Sequence, residues 1–241
     1  MSRHSKWSKV KQFKGAIDAK RSASFTKLSR EITVATREKG SDPNFNFALR
    51  VAIEHAKKAL MPKDSIERAI KRGSGDASGE AQLEQLTYEA YGPGRSALII
   101  ECVTDNRNRA VAEVKHILSK NGGTFANTGS VTHLFDRVGM VRVNGSLSEE
   151  KADEIELALI DAGATDIVQE EGSVSISTSP ANLAKVTDAI QTFGLNIESA
   201  QFEWTPKLPI ETSEEDGMAV EALIDALDEN DEVSRVYTNV A

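Results

Sequence analysis

The side chains of this 241-residue chain that are numerous enough and grouped enough to do chemistry are cations, and they crowd its first third. Residues 1–75 hold 18 Lys and Arg against 7 Asp and Glu, a net of +11; residues 76–241 hold 11 against 30, a net of −19. The whole-chain charge of −8 hides this division. A basic module joined to an acidic body is the electrostatic footprint of a polyanion binder. The plainer alternative is that Lys and Arg merely solubilise a helical surface, but here they also fall on particular faces. Reactive groups are sparse by comparison. His4, His55, His116 and His133 are far apart and none has metal-ligand spacing. A single cysteine, Cys102, leaves no disulfide framework and no multi-thiolate zinc site, and it suits a reducing compartment. No nucleophile–base pairing is readable, so the expectation is no catalytic residue and no metal.

Two groups of cations are candidates for phosphate contact. The first is an N-terminal arm, residues 1–21, where Lys6, Lys9, Lys11, Lys14, Lys20 and Arg21 surround Trp7. That indole either stacks on a base or ribose or folds back as an apolar plug. The second lies on three helices. Lys27, Arg30 and Arg37 fall within about 80° of each other, nearly opposite the apolar stripe of the first helix. Arg50, Lys57 and Lys58 lie off the stripe of the second, and Lys63, Arg68, Lys71 and Arg72 off that of the third. The short connection at Met61-Pro62 invites a helix-turn-helix reading. The outward side chains are mainly charged, with few Asn or Gln suited to base edges, which favours phosphate gripping over sequence reading. Arg107 and Arg109 offer a further anion contact, or else pair with acidic neighbours. Asp105 or Asn106 can cap the helix that follows, Asp105 reading as a cap in preference to a catalytic carboxylate, and Tyr91-Gly92-Pro93-Gly94 reads as a hairpin turn, since it lacks the G-K-[ST] ending of a phosphate loop.

The elements that must position these groups follow from periodicity. Helices are expected over Ser22–Glu38 (stripe Phe25, Leu28, Ile32, Ala35), Phe47–Leu60 (Leu49, Ala52, Ile53, Ala56, Leu60) and Lys63–Arg72 (Ile66, Ala69, Ile70), with Asp64 and Glu67 as a capping pair. Residues 76–80 read as a linker. Alternation from Leu83, an apolar run at Ala97–Val103 and a helix from Arg107 to Asn121 follow, then a strand over Ser130–Phe135. Residues 139–200 read strand-helix-strand-strand-helix-strand, the order of ferredoxin-like domains. Last come an acidic helix, Gly217–Asp228, and a strand, Val233–Asn239. Glu211 to Glu232 include ten acids and no Lys or Arg, mostly a solvated helix face or, alternatively, a dock for a basic protein. The expected fold is α+β and multidomain: a basic helical bundle (1–80), an α/β domain (81–136 with 206–241), and a ferredoxin-like domain (137–205) inserted in it.

Several segments together carry a family resemblance: His4-Ser5-Lys6-Trp7, Phe25 to Ala35, Met61 to Ile70, Tyr91-Gly92-Pro93-Gly94, Glu101 to Arg109, and Lys120-Asn121-Gly122-Gly123. On these the chain resembles the YebC/PmpR family, whose mitochondrial relatives are translational activators of cytochrome oxidase synthesis. Arg3, Phe47, Ala90 and Arg95 depart from the residues usual there. The resemblance implies a helical basic N-terminal domain, two α/β domains with the third inserted in the second, no cofactor and no enzymatic activity. It implies DNA-binding transcription regulators on one side and, on the other, translation factors that relieve ribosome stalling.

Residues and resemblance together lead to three expectations. The first is a non-enzymatic regulator docking its basic domain on ribosomal RNA, with ribosomal proteins as further partners. The second is a DNA-binding transcriptional regulator using the same surface, and the third a protein-interaction scaffold. RNA is preferred because an acidic body is repelled by a long duplex. With no apolar h-region at the N-terminus and no membrane-length apolar run, the expected location is a bacterial-type cytoplasm, with no membrane partner.

Overall fold

The computed structural model describes residues 25–75, 83–146, 151–170 and 172–241. In chain order the elements are α1 (Phe25–Lys39), α2 (Phe47–Lys58), α3 (Lys63–Ser74), β1 (Glu84–Tyr91), β2 (Ala97–Thr104), α4 (Arg107–Lys120), β3 (Thr124–Ala126), β4 (Phe135–Asn144), α5 (Ala152–Asp161), β5 (Ala164–Glu170), β6 (Ser173–Thr178), α6 (Leu183–Thr192), β7 (Asn196–Pro206), α7 (Glu214–Asp228) and β8 (Val233–Thr238). The described residues thus form a mixed α/β structure with seven α-helices and two four-stranded sheets. The chain divides into two compact units, Met1–Asp136 with Pro206–Ala241, and Arg137–Thr205.

In the first unit the helices α1–α3 close on Leu28, Ile32, Leu49, Ala52, Ala56, Met61, Ile66 and Ala69. Their contact is tightest where α1 meets α3. Thr33 and Thr36 are buried there, each hydroxyl donating to a carbonyl one turn back, and Gly73 faces them. A Cβ on Gly73 would lie 2.5 Å from both the Thr33 carbonyl oxygen and Thr36 Cβ, so only glycine admits this approach. The turn into α2 is fixed by Asn46, which is fully buried. Its Oδ1 caps α2 by accepting from the Leu49 amide at 3.0 Å, and its Nδ2 donates to the Ala35 and Gly40 carbonyls, each at 2.7 Å.

Several expectations for this module need correction. Phe25 is 49% exposed and Leu60 85%, so neither belongs to the buried stripe. Phe25 is the first residue of α1, and Leu60 has already left α2. Asp64 and Glu67 form no capping pair: Pro62 occupies the cap position without a side-chain hydrogen bond, and Glu67 pairs instead with Lys63 at 3.6 Å.

The same unit holds an antiparallel sheet of order β3-β1-β2-β8. Its core joins Tyr88, Ala90, Leu98, Ile100 and Cys102 to Ala110, Val114 and Leu118 of α4 and to Leu223 and Leu227 of α7. Burial pushes the Cys102 thiol up to about 12, so it behaves as a small hydrophobe and not as a nucleophile. The strand expected over Ser130–Phe135 does not form: Thr132–Leu134 is a 3₁₀ turn, and β4 begins only at Phe135. The cause is Glu89, a 4% exposed carboxylate on β1. It accepts the amides of Gly129 and Val131 at 2.6 Å each and of Thr132 at 3.0 Å, and so takes the hydrogen bonds a strand would need.

The second unit is built on a sheet of order β5-β6-β4-β7, with β6 antiparallel to both neighbours. Strand-helix-strand-strand-helix-strand in that order is the split βαβ arrangement. Val141, Val143, Val174 and Ile176 pack on Ile155 and Leu159 of α5 and on Val186 and Ile190 of α6.

Candidate nucleic-acid interface

The arm residues Lys6, Trp7, Lys9, Lys11, Lys14, Lys20 and Arg21 lie outside the described residues. The helical candidates separate into two groups. Those of α1 face the unit's own acidic end. Lys27 Nζ donates to the carbonyl of Asp228, the last residue of α7, where the helix dipole is negative. Arg30 donates to the Asp231 carbonyl and lies 3.9 Å from Glu232 Oε1; Arg37 donates to the Leu83 carbonyl. The side of α1 opposite its apolar stripe is therefore an internal interface.

Arg109 joins the same cluster. Its Nε donates to Glu232 Oε1 at 2.9 Å and an Nη to Asp105 Oδ1 at 2.7 Å. Of the two readings of Arg109, pairing with acidic neighbours is the one the geometry adopts. Glu232 is 4% exposed, and Thr104 Oγ1 donates to it at 3.0 Å. The Arg109 hydrogen bond holds the Asp105 carboxyl below its usual range, while Glu232 and then Asp105 raise the guanidinium. Of the two expected caps of α4, Asp105 and Asn106, it is Asn106 that caps, accepting from the Arg109 amide at 3.1 Å. Arg107 remains exposed at the start of that helix. Because Arg30 is largely enclosed in this acidic corner, Arg30→Ala should cost stability, about 1–3 kcal/mol by thermal melting. A wild-type melting temperature for this variant would show that the corner does not hold Arg30.

The second group collects around the α2–α3 corner. Lys57 and Lys58 are exposed at the end of α2 and have no partner among the described residues. Lys63, with its side chain 86% exposed, opens α3, and Lys71 lies two turns on along the same face. Arg68 is exposed beside them, its guanidinium donating to the Asp64 carbonyl at 3.2 Å and to Ser65 Oγ at 3.1 Å. Arg50 and Arg72 are half-buried.

The corner itself is a Schellman turn. Leu60 donates to the Lys57 carbonyl at 3.0 Å and Met61 to the Ala56 carbonyl at 2.9 Å, with Met61 buried. Leu60 holds the left-handed position at φ 61°, where glycine is usual and a leucine costs roughly 1–2 kcal/mol. The corner thus presents a run of cations on a rigid helical pair, suited to the spaced charges of a sugar-phosphate backbone. Among the described residues no group of three or more His, Cys, Asp and Glu is placed to hold a metal ion, and no helix is long and apolar enough to cross a membrane.

Sequence reasoning missed Glu89, Asn46 and Glu232. Glu89 had a readable sign, an acid between the apolar positions of β1. The other two act through partners that no local pattern exposes.

The model of the TACO1/YebC N-terminal domain matches residues 5–76, and that of the TACO1/YebC second and third domain matches residues 83–240. A protein of Caldanaerobacter subterraneus is 44% identical over 100% of this chain and 98% of its own length, and one of Thermoanaerobacter pseudethanolicus 45% identical over 100% and 97%. Both are named as probable transcriptional regulatory proteins. The crystal structure of a conserved hypothetical protein from Aquifex aeolicus is 42% identical, superposes with a TM-score of 0.78, and covers 90% of this chain and 88% of that one.

Proposed function

Since the chain belongs to the TACO1/YebC family, we propose that it is a non-enzymatic, nucleic-acid-binding regulator of gene expression that acts in translation, docking its basic helical module on ribosomal RNA. The observation that carries this reading is the α2–α3 corner, where Lys57, Lys58, Lys63, Arg68 and Lys71 are all exposed. The body behind it is acidic, net −19 over residues 76–241, which disfavours lying along a duplex and favours a local dock on a folded RNA. The exposed acids of α7, Glu214, Glu215 and Asp225, are available to a basic ribosomal protein.

The test is salt-dependent binding of full-length protein carrying Lys57→Ala, Lys58→Ala, Lys63→Ala and Lys71→Ala. If the four contact phosphates of unstacked RNA, the slope of log K against log salt falls by about three, and cosedimentation with ribosomes weakens in parallel. Melting should stay close to wild type, since all four side chains are exposed. An unchanged slope removes this surface from the reading. A second reading, regulation of transcription through duplex DNA, is supported by the names the relatives carry. Tighter binding to duplex DNA than to structured RNA at equal salt would favour it.

A further inference from the structure

We propose that Leu60 is a contact residue that seats its side chain against the face of an unpaired RNA base, while Lys57, Lys58 and Lys63 hold the phosphates on either side. This rests on the RNA reading above and adds to it the part of the ligand that is recognised. Three observations converge on the residue. Its side chain is 85% exposed at the tip of the α2–α3 corner, so it contributes nothing to the core. Its backbone sits at φ 61°, a conformation that glycine adopts without penalty and leucine does not. A residue that neither packs nor suits its backbone marks the kind of local conflict found at functional sites. Finally, the segment 57–63 has three lysines and no acid, which gives the leucine a cationic collar.

Two other apolar side chains are comparably exposed among the described residues, and neither has that collar: Leu208, 81% exposed, has one neighbouring lysine, Lys207, which pairs with Asp136 at 3.6 Å. Phe45 is 87% exposed between α1 and α2, but residues 41–46 contain Asp42 and no Lys or Arg. The corner is a turn between helices, so it offers a single apolar side chain and not a helix flank. The deep, narrow major groove of an RNA duplex has no place for it, whereas a loop base splayed from its stack exposes an apolar face of matching size.

The test compares full-length variants on two RNAs, a hairpin with an unpaired loop and the same stem closed into a continuous duplex. Leu60→Gly and Leu60→Asn both tolerate the left-handed backbone but lose the apolar tip. Each should bind the hairpin about tenfold more weakly, with duplex affinity within about twofold of wild type. Their melting temperatures should equal or exceed the wild-type value, which separates lost contact from lost fold. Leu60→Met should keep affinity, and Phe45→Ser should change nothing. Wild-type hairpin affinity in Leu60→Gly overturns the proposal. Equal losses on hairpin and duplex overturn it as well, since the leucine would then touch a groove and not a base. If the four-lysine variant still loses affinity in those cases, the functional reading stands without this contact. If that variant loses nothing, the functional reading itself fails.

Discussion

Glu89→Ala lowers the stability of the first unit by roughly 3–5 kcal/mol at neutral pH, enough to shift its melting by many degrees. The carboxylate is buried on β1 and is the acceptor for three backbone amides, those of Gly129, Val131 and Thr132. Alanine leaves those donors without their acceptor and leaves the space beneath the 129–132 turn unfilled. Glu89→Gln keeps the shape but turns an amide donor toward amides, so it should also destabilise, by less.

The charge state adds a pH signature. Burial works to raise the carboxyl, but the hydrogen bonds from Thr132, Gly129 and Val131 outweigh it and hold the group below its ordinary range. A depressed folded-state value means this stabilisation is fully present above the unfolded value of about 4.3 and is lost as pH falls through the folded one. Melts between pH 7 and 3 should therefore decline less steeply for Glu89→Gln than for wild type at the acid end. Wild-type melting of Glu89→Ala at pH 7 would refute the role assigned to the carboxylate.

Gly73→Val should unfold the helical module or weaken it by about 3 kcal/mol or more. Two effects of opposite sign meet at this position. Gly73 is the penultimate residue of α3, so replacing it gains at most the roughly 1 kcal/mol of helix propensity that alanine has over glycine in a helix interior, and less when the new residue is β-branched. Against that, the new Cβ falls 2.5 Å from the Thr33 carbonyl oxygen, a backbone atom that cannot swing aside. The overlap wins, and Gly73→Ala should already be less stable than wild type. Loss of far-UV helical signal at lower temperature is the expected result. A Gly73→Ala variant more stable than wild type would mean that α1 and α3 are further apart than described.

Local rules went far in reading this chain, and they stopped where partners are distant. The stripe Leu28, Ile32 and Ala35, the proline before α3 and the glycine closing it sufficed for the helical module. The order of elements between Gly139 and Ala200 matched the second unit, because alternation and helical period differ clearly there. What periodicity cannot carry is the identity of the surface opposite a stripe. Lys27, Arg30 and Arg37 lie off the apolar face of α1, which looks the same in sequence whether solvent, phosphate or protein covers it. Their partners Asp228 and Asp231 are 201 residues away from Lys27 and Arg30, and only the fold brings them near. Glu89 disguised a turn as a strand for a related reason: Val131 has the apolar character of a strand residue, while the carboxylate that accepts the amides of Gly129, Val131 and Thr132 is 40 to 43 residues earlier. At the α2–α3 corner the cations were legible, but the left-handed Leu60 was not, since a leucine at the end of an apolar stripe reads as one more core position.

The acidic corner that receives Lys27 and Arg30 has a consequence for the order of events on a translating ribosome. The basic module is made early, whereas Asp228, Asp231, Glu232 and the edge strand β8 come from the last fifteen residues. At ordinary elongation rates of about 5–20 residues per second, roughly ten to forty seconds separate synthesis of α1 from that of its partners. During that interval the nascent chain exposes Lys27 and Arg30 beside the RNA-rich surface from which it emerges. Its sheet meanwhile lacks β8 and exposes β2 as an open edge. Completion of the C-terminus then does two things at once: it closes that edge and gives Lys27 and Arg30 their acidic partners. The cations of α1 are therefore partnered within the finished fold only once the acidic end has been made, so the charge on that helix face differs between the nascent and the completed chain.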